Sequence, residues 1–312
     1  MSYVYAGTRA YTEAHSLLSE TDFERLITAQ SARDAVSVLD DTFLAPHITR
    51  SEGDVAGALE DALRTIKARL QSYTPDTQIT NLFWHRYDFF NLSIIEKAKR
   101  LKDDHAEMLM RLSHLGTIDP EHLLTLIEHG KLHSISPLLH DAQQELVKTD
   151  SISLLDNIAD RYYIESCSKL LAVETDTYVR FFLSHVIDQF NIQSSLRFHR
   201  GLHTVFSEAP FVRGGSIHAS ELQTLEGTLA VLSRFTNTVF TESHSATEIE
   251  KRLKQRMSNT LKRNAYDTFS KAPLLYFLHR LLTHIEIVRA IVRSKEAQIP
   301  ENDIRNFIHH LA

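Results

Sequence analysis

The feature that most constrains this chain is an internal repeat of long period. Residues 76–92 lie over residues 176–192 at an offset of 100 without a gap. Asp76, Thr77, His85, Asp88, Phe90 and Asn91 match Asp176, Thr177, His185, Asp188, Phe190 and Asn191. Six identities in 17 positions compare with roughly one expected from average residue usage. Leu92 against Ile192 and Ile79 against Val179 add conservative matches. A second motif follows each copy, now at an offset of 99: Gly116-Thr117-Ile118 leads to Leu123, and Gly215-Ser216-Ile217 leads to Leu222. Such a period is far longer than the 20–50 residues of a solenoid repeat, so each unit has to be a small subdomain.

A degraded third copy closes the chain. Ile299 leads to Ile304 at the same spacing, with Glu301 in the first helical turn. Before it, His284-Ile285-Glu286-Ile287-Val288 stands in the place of Asp-x-x-Asn-Ile, with acid and amide both gone. The expected organisation is three similar units, 1–112, 113–212 and a shortened, degenerate 213–312, forming a pseudo-three-fold body. Asp and Asn three residues apart share one helix face, where they are expected to satisfy backbone groups of a neighbouring helix or unit. Repetition favours that structural use, because a catalytic pair is needed once whereas a packing solution recurs with the packing.

The units are helical. Nine glycines and seven prolines in 312 residues are too few for the many tight turns of a sandwich or barrel. Capping signals agree. Ser19 with Asp22 resembles a capping box ahead of Phe23, Leu26 and Ile27. Asp119-Pro120-Glu121 reads as N-cap, N1 proline and acidic first turn, with Leu123, Leu124, Leu126 and Ile127 as the apolar stripe and Gly130 as terminator. Leu155, Ile158 and Tyr162 continue the helical spacing, and Thr247 with Glu250 is read as the cap of a later helix.

Charge and cysteine content narrow the function classes. A net charge of −6 leaves no basic excess for a phosphate backbone, so nucleic-acid binding is not expected. Protonating all 18 histidines would carry the charge to +12, which makes the surface potential sensitive near pH 6.5. One cysteine, Cys167, forms neither an intramolecular disulfide nor a Cys-rich zinc site, in keeping with a cytoplasmic setting. The N-terminus has no basic n-region followed by a long apolar run. The most apolar stretch, Pro273 to Leu282, is broken by His279 and Arg280 and is too short to span a bilayer.

Catalytic and metal signatures are weak. His129 with His133 and His199 with His203 have i, i+4 spacing but lack the glutamate of His-Glu-x-x-His. His140-Asp141 matches the dipeptide of HD-type metal phosphohydrolases without distinctive supporting residues. Gly214-Gly215 lacks a phosphate-loop pattern and reads as a turn needing positive φ. Ser16, Ser19 and Cys167 sit in no nucleophile signature. We therefore expect no catalytic residue, no cofactor and no metal ligand. The rival readings are a helical adaptor and a histidine-dependent phosphohydrolase.

The same residues carry a family resemblance. The chain resembles the C subunit of the archaeal and bacterial V/A-type ATPases, whose counterpart in eukaryotic V-ATPases is the d subunit. The matching features are Ala6-Gly7-Thr8-Arg9-Ala10 followed by Leu17-Leu18-Ser19, then Asp88-x-x-Asn91-Leu92 and Leu115-Gly116-Thr117-Ile118. Asp188-x-x-Asn191-Ile192, Gly214-Gly215-Ser216-Ile217 and the segment from Arg289 through Ile304 complete the set. The resemblance implies an all-helical funnel of three units between the central stalk and the cytoplasmic face of the rotor ring. It implies a role in transmitting torque for ion transport, with ATP hydrolysis on other subunits. A monomer when isolated, bound peripherally at the membrane through the ring, is the corresponding expectation. Arg9, Asp88, Asn91, Asp188, Asn191, Arg197 and Arg289 are carried over as motif positions that shape the funnel or face a partner. Ser93 and Gln193 stand where the family often has a basic residue, and Arg289 keeps it in the third unit.

Overall fold

The computed structural model describes residues 3–50, 54–201 and 210–308. These residues form helices and connecting turns with no β-strand among them, so the all-α expectation holds. By contacts the chain divides into two compact units, Met1–Ile79 with Leu232–Ala312, and Thr80–Val231. Both complete copies of the Asp-x-x-Asn and Gly-x-Ile motifs fall in the second unit, and the degenerate copy falls in the first.

The first unit opens with α1 (Tyr3–Ala14), which buries Ala6, Gly7, Ala10 and Ala14. This stripe of small residues lets another helix approach closely. A Cβ on Gly7 would already stand 3.3 Å from the Thr268 carbonyl oxygen and 3.4 Å from Pro273. The approaching helix is the long one near the C-terminus, Ala272–Glu296. Next come α2 (Glu20–Thr28) and α3 (Ala32–Val38). Ser19 and Asp22 do form a reciprocal capping box on α2. After a 3₁₀ turn come α4 (Ala45–Ile48) and α5 (Val55–Tyr73). Asp54 caps α5, which buries Ala58, Leu59, Ala62, Leu63, Ile66, Leu70 and Tyr73 at helical spacing.

The chain then enters the second unit through α6 (Gln78–Leu101), α7 (His105–Arg111), α8 (Pro120–Glu128), α9 (Leu132–Ile135) and α10 (Pro137–Lys148). The unit continues with α11 (Leu155–Val173) and α12 (Thr177–His199). Its core joins Leu92 and Ile95 of α6 to Leu123 and Leu126 of α8, Leu139 and Leu146 of α10, and Leu155 and Ile158 of α11. Asp119 caps α8 as the sequence predicts, its carboxylate accepting the Glu121 N–H at 3.0 Å. Gly130 ends that helix at φ 62. The Lys131 N–H reaches back to the Leu126 carbonyl, which satisfies carbonyls the helix would leave open.

Helix α13 (Leu225–Thr236) leads back to the first unit, followed by α14 (Ala246–Asn264), α15 (Ala272–Glu296) and α16 (Glu301–Ile308). The start of α14 differs from the sequence expectation. Its cap is Ser245 with Glu248, not Thr247 with Glu250. Both pairs have the right spacing, and the outer one adds two further helical residues.

Candidate functional site

The repeated motif folds into the same device twice. Asp88 and Asn91 lie on α6, three residues apart and fully buried, and Asp188 with Asn191 lie the same way on α12. The first matched aspartate of the repeat sits just ahead of each helix and accepts from its first turn: Asp76 takes the Gln78 N–H at 3.0 Å, and Asp176 caps α12 through the Tyr178 and Val179 N–H groups.

The asparagine grips a loop through both backbone groups of one residue. Asn91 accepts the Ser113 N–H at 2.9 Å and donates to the Ser113 carbonyl at 2.8 Å. Asn191 does the same to Val212, at 2.9 and 2.8 Å. A primary amide is suited to this, since it offers an acceptor and a donor in one plane. The aspartate then takes the donors a few residues on. Asp88 accepts the Ile118 N–H at 3.0 Å and the Thr117 hydroxyl, with His85 Nδ1 2.9 Å away. Asp188 accepts the Ser216 N–H at 2.9 Å, the Ser216 hydroxyl at 2.6 Å and the Ile217 N–H at 3.1 Å. Three donors converge on each buried carboxylate, which is what a buried charge requires.

Glycine completes the clip. An ideal Cβ on Gly116 would lie 2.4 Å from Asp88 Oδ1, and one on Gly215 would lie 2.0 Å from Asp188 Oδ1. Only Gly214 of the Gly-Gly pair has the positive φ expected from the sequence, at 111. Gly215 is needed for proximity. The Asp-x-x-Asn pair thus serves a segment returning from later in the chain, a loop and not a neighbouring helix.

The third copy shows why its acid and amide are dispensable. There the loop follows directly on α15, and the helix's own last carbonyls are within reach. The Ile299 N–H donates to Ser294 at 2.9 Å and the Gln298 N–H to Lys295 at 3.1 Å, with Gln298 at φ 55. This paired closure of a helix C-terminus gives the Ile299 donor the partner that Asp88 and Asp188 supply for Ile118 and Ile217. His284 therefore keeps no clip role. It is buried edge-on to Phe23, with ring centroids 5.0 Å apart, and accepts from Arg280 Nε at 3.3 Å.

The remaining motif positions are separate from the clips. Arg9 donates to Glu13 at 3.0 Å and stacks 4.4 Å from the Tyr73 ring centroid. Arg69 meets the other oxygen of Glu13 at 3.1 Å, so α1 is pinned to α5. Arg197 is exposed in the last turn of α12. Arg289 is half-buried on α15, with a buried Nε that has no hydrogen-bond partner among the described residues. Ser93, in the place of the family's basic residue, donates to Asp156 of α11 at 2.9 Å, and Lys97 meets the other oxygen of that carboxylate.

His129 and His133 do not assemble as ligands. His129 ends α8 with Nδ1 2.8 Å from the Thr125 carbonyl, while His133 lies on α9 beyond Gly130. The two are not on one helix, because the glycine turn separates them. His133 instead meets His140 edge-on at 5.2 Å. His203 lies outside the described residues. Among the described residues no group of three or more His, Cys, Asp or Glu is placed to hold a metal, and no helix is long and apolar enough to cross a membrane. Burial pushes the Cys167 thiol up to about 12, which removes the thiolate a nucleophile needs.

Fold and site together define an all-helical protein whose repeated polar residues tie loops onto helices. Residues 7–307 match the family described as ATP synthase (C/AC39) subunit, and the chain belongs to that family. It is similar to the C subunit of the A-type ATP synthase of Methanocaldococcus jannaschii, with 22% identity over 214 residues. That match covers 62% of this chain and spans about half, 54%, of the relative's length.

Proposed function

We propose that the chain is a non-catalytic coupling subunit of a V/A-type ATPase, joining central-stalk subunits to the cytoplasmic face of the membrane rotor ring. In this reading three units, 1–112, 113–212 and 213–312, surround a pseudo-three-fold axis as a funnel, and ATP is hydrolysed on other subunits. The protein is peripheral to the membrane, on its cytoplasmic side.

One observation carries the reading beyond family membership. The polar residues that a motif search singles out, Asp88, Asn91, Asp188 and Asn191, are buried and spent on loop backbone. A side chain used this way offers nothing to a substrate. It removes slack between a helix and the segment after it, and a torque-bearing part needs a body that does not yield. Close-packed helices closed by such clips meet that need.

Copurification with a tagged full-length chain, with identification of the bound proteins, tests the proposal. Recovery of stalk and ring subunits of an ATPase is expected. Recovery of the chain alone, or with unrelated proteins, overturns it.

A further inference from the structure

A pronounced local excess of positive charge lies in α14, α15 and the turn between them. Residues 246–296 hold eleven Lys and Arg against five Asp and Glu, a net +6, so the rest of a chain of net −6 carries −12. The apolar stripe of α14, Ile249, Leu253, Met257 and Leu261, is already buried. The turn at the junction is different. Tyr266 is 71% exposed and Phe269 is 85% exposed, although the flanking Ala265 and Ala272 are buried. Around them, Lys262 and Arg263 are exposed and have no ion pair among the described residues, and the Lys271 ammonium lies 5.2 Å from the centre of the Tyr3 ring. Cations in the last turn of α14 complement its dipole, which accounts for Lys262 and Arg263 but not for two exposed aromatic rings between them and Lys271.

We propose that this turn docks on an anionic lipid surface, Tyr266 and Phe269 entering the headgroup layer while Lys262, Arg263 and Lys271 bind lipid phosphates. Aromatic rings and long cationic side chains are the groups that favour that layer, with an apolar body below and a charged head in water. Charge complementarity selects the ligand and the orientation: anionic headgroups attract this hairpin and repel the remainder of the chain. A protein partner would require a surface of several hundred Å², whereas the exposed apolar groups here are two side chains on one short turn. Lipid docking does not depend on the coupling role and extends beyond it.

The test is cosedimentation of the full-length protein with vesicles of phosphatidylglycerol and phosphatidylcholine in equal parts, and with phosphatidylcholine alone. Binding to the anionic vesicles only, weakened by salt, is expected. Tyr266→Ser with Phe269→Ser should lower the partition coefficient about tenfold or more, and so should Lys262→Glu with Arg263→Glu. Thermal unfolding of each variant confirms that it is folded. Absence of binding to anionic vesicles, or equal binding by parent and both variants, overturns the proposal. Loss of copurifying proteins in the Tyr266/Phe269 variant without vesicle binding by the parent would assign the turn to a protein contact instead. Failure with vesicles while ATPase subunits still copurify leaves the coupling role standing.

Discussion

The carboxylate of Asp188 lies over the bare backbone of Gly215, 2.0 Å from the place a β-carbon would occupy. Asp88 covers Gly116 in the same way, at 2.4 Å. Aspartate and glycine are therefore one device, although 27 and 28 residues separate them in the chain. The carboxylate can receive the donors of the next two residues, Ser216 and Ile217 or Thr117 and Ile118, only if nothing stands between it and the loop.

Substituting Gly215 by alanine should accordingly destabilise the protein by about 3 kcal/mol or more, since either the loop or a buried carboxylate must give way. Gly116→Ala should behave similarly. Gly130→Ala is the control: open space surrounds that position but φ is 62, so the cost should be only the backbone strain of about 1 kcal/mol. Urea unfolding of the three variants checks the order, and an equal loss at Gly130 and Gly215 would contradict the clip.

Asp188→Asn tests the charge without changing the shape. The amide replaces an acceptor by a donor opposite the Ser216 and Ile217 N–H groups, leaving a buried donor unmet. A loss of about 3 kcal/mol is expected, with faster amide exchange at Ser216 and Ile217. Asn191→Asp, which sets a carboxylate against the Val212 carbonyl, should show its exchange increase at Val212.

Helical character and the paired Asp-x-x-Asn were legible in the sequence because caps and 3–4 spacing are local signals. Ser19, Asp119 and Gly130 do what their neighbours require of them. The use of Gly215 was not legible, since its reason is a side chain 27 residues away. Nor was the fate of the third copy: the loss of acid and amide is visible, but its explanation is that Gln298 and Ile299 reach back to the carbonyls of α15. Thr247 misled because Ser245, two residues earlier, satisfies the same rule. His129 and His133 misled because spacing does not register the turn at Gly130.

Acid should destabilise the first unit through two histidines. Burial, then Lys254, lowers His279 to about 4, and burial, then Arg280, lowers His284 to about 3. The native state holds both rings neutral, whereas the unfolded chain takes up protons near pH 6.5. Their contribution is thus complete above pH 6.5 and falls as pH drops, by up to about 1.4 kcal/mol per pH unit for each ring. The loss levels off near pH 4 for His279 and near pH 3 for His284. His284→Phe keeps a ring edge-on to Phe23 and should flatten the slope between pH 6.5 and 4.5. Urea midpoints across that range measure it, and an unchanged slope would remove His284 as a cause.

The buried thiol offers a reporter of how tightly the second unit is closed. Cys167 on α11 is 1% exposed and its pKa is raised to about 12, so thiolate is scarce and reagent cannot reach it. A disulfide reagent at pH 8 should label the native protein only through opening, at a rate set by the opening equilibrium. If the clips hold the second unit together, Asp88→Asn and Asp188→Asn should each raise the labelling rate, by about tenfold for every 1.4 kcal/mol lost in the opening that exposes Cys167. Native-like labelling rates in both variants, with global stability reduced, would mean that the clips stabilise the chain without controlling local opening around α11.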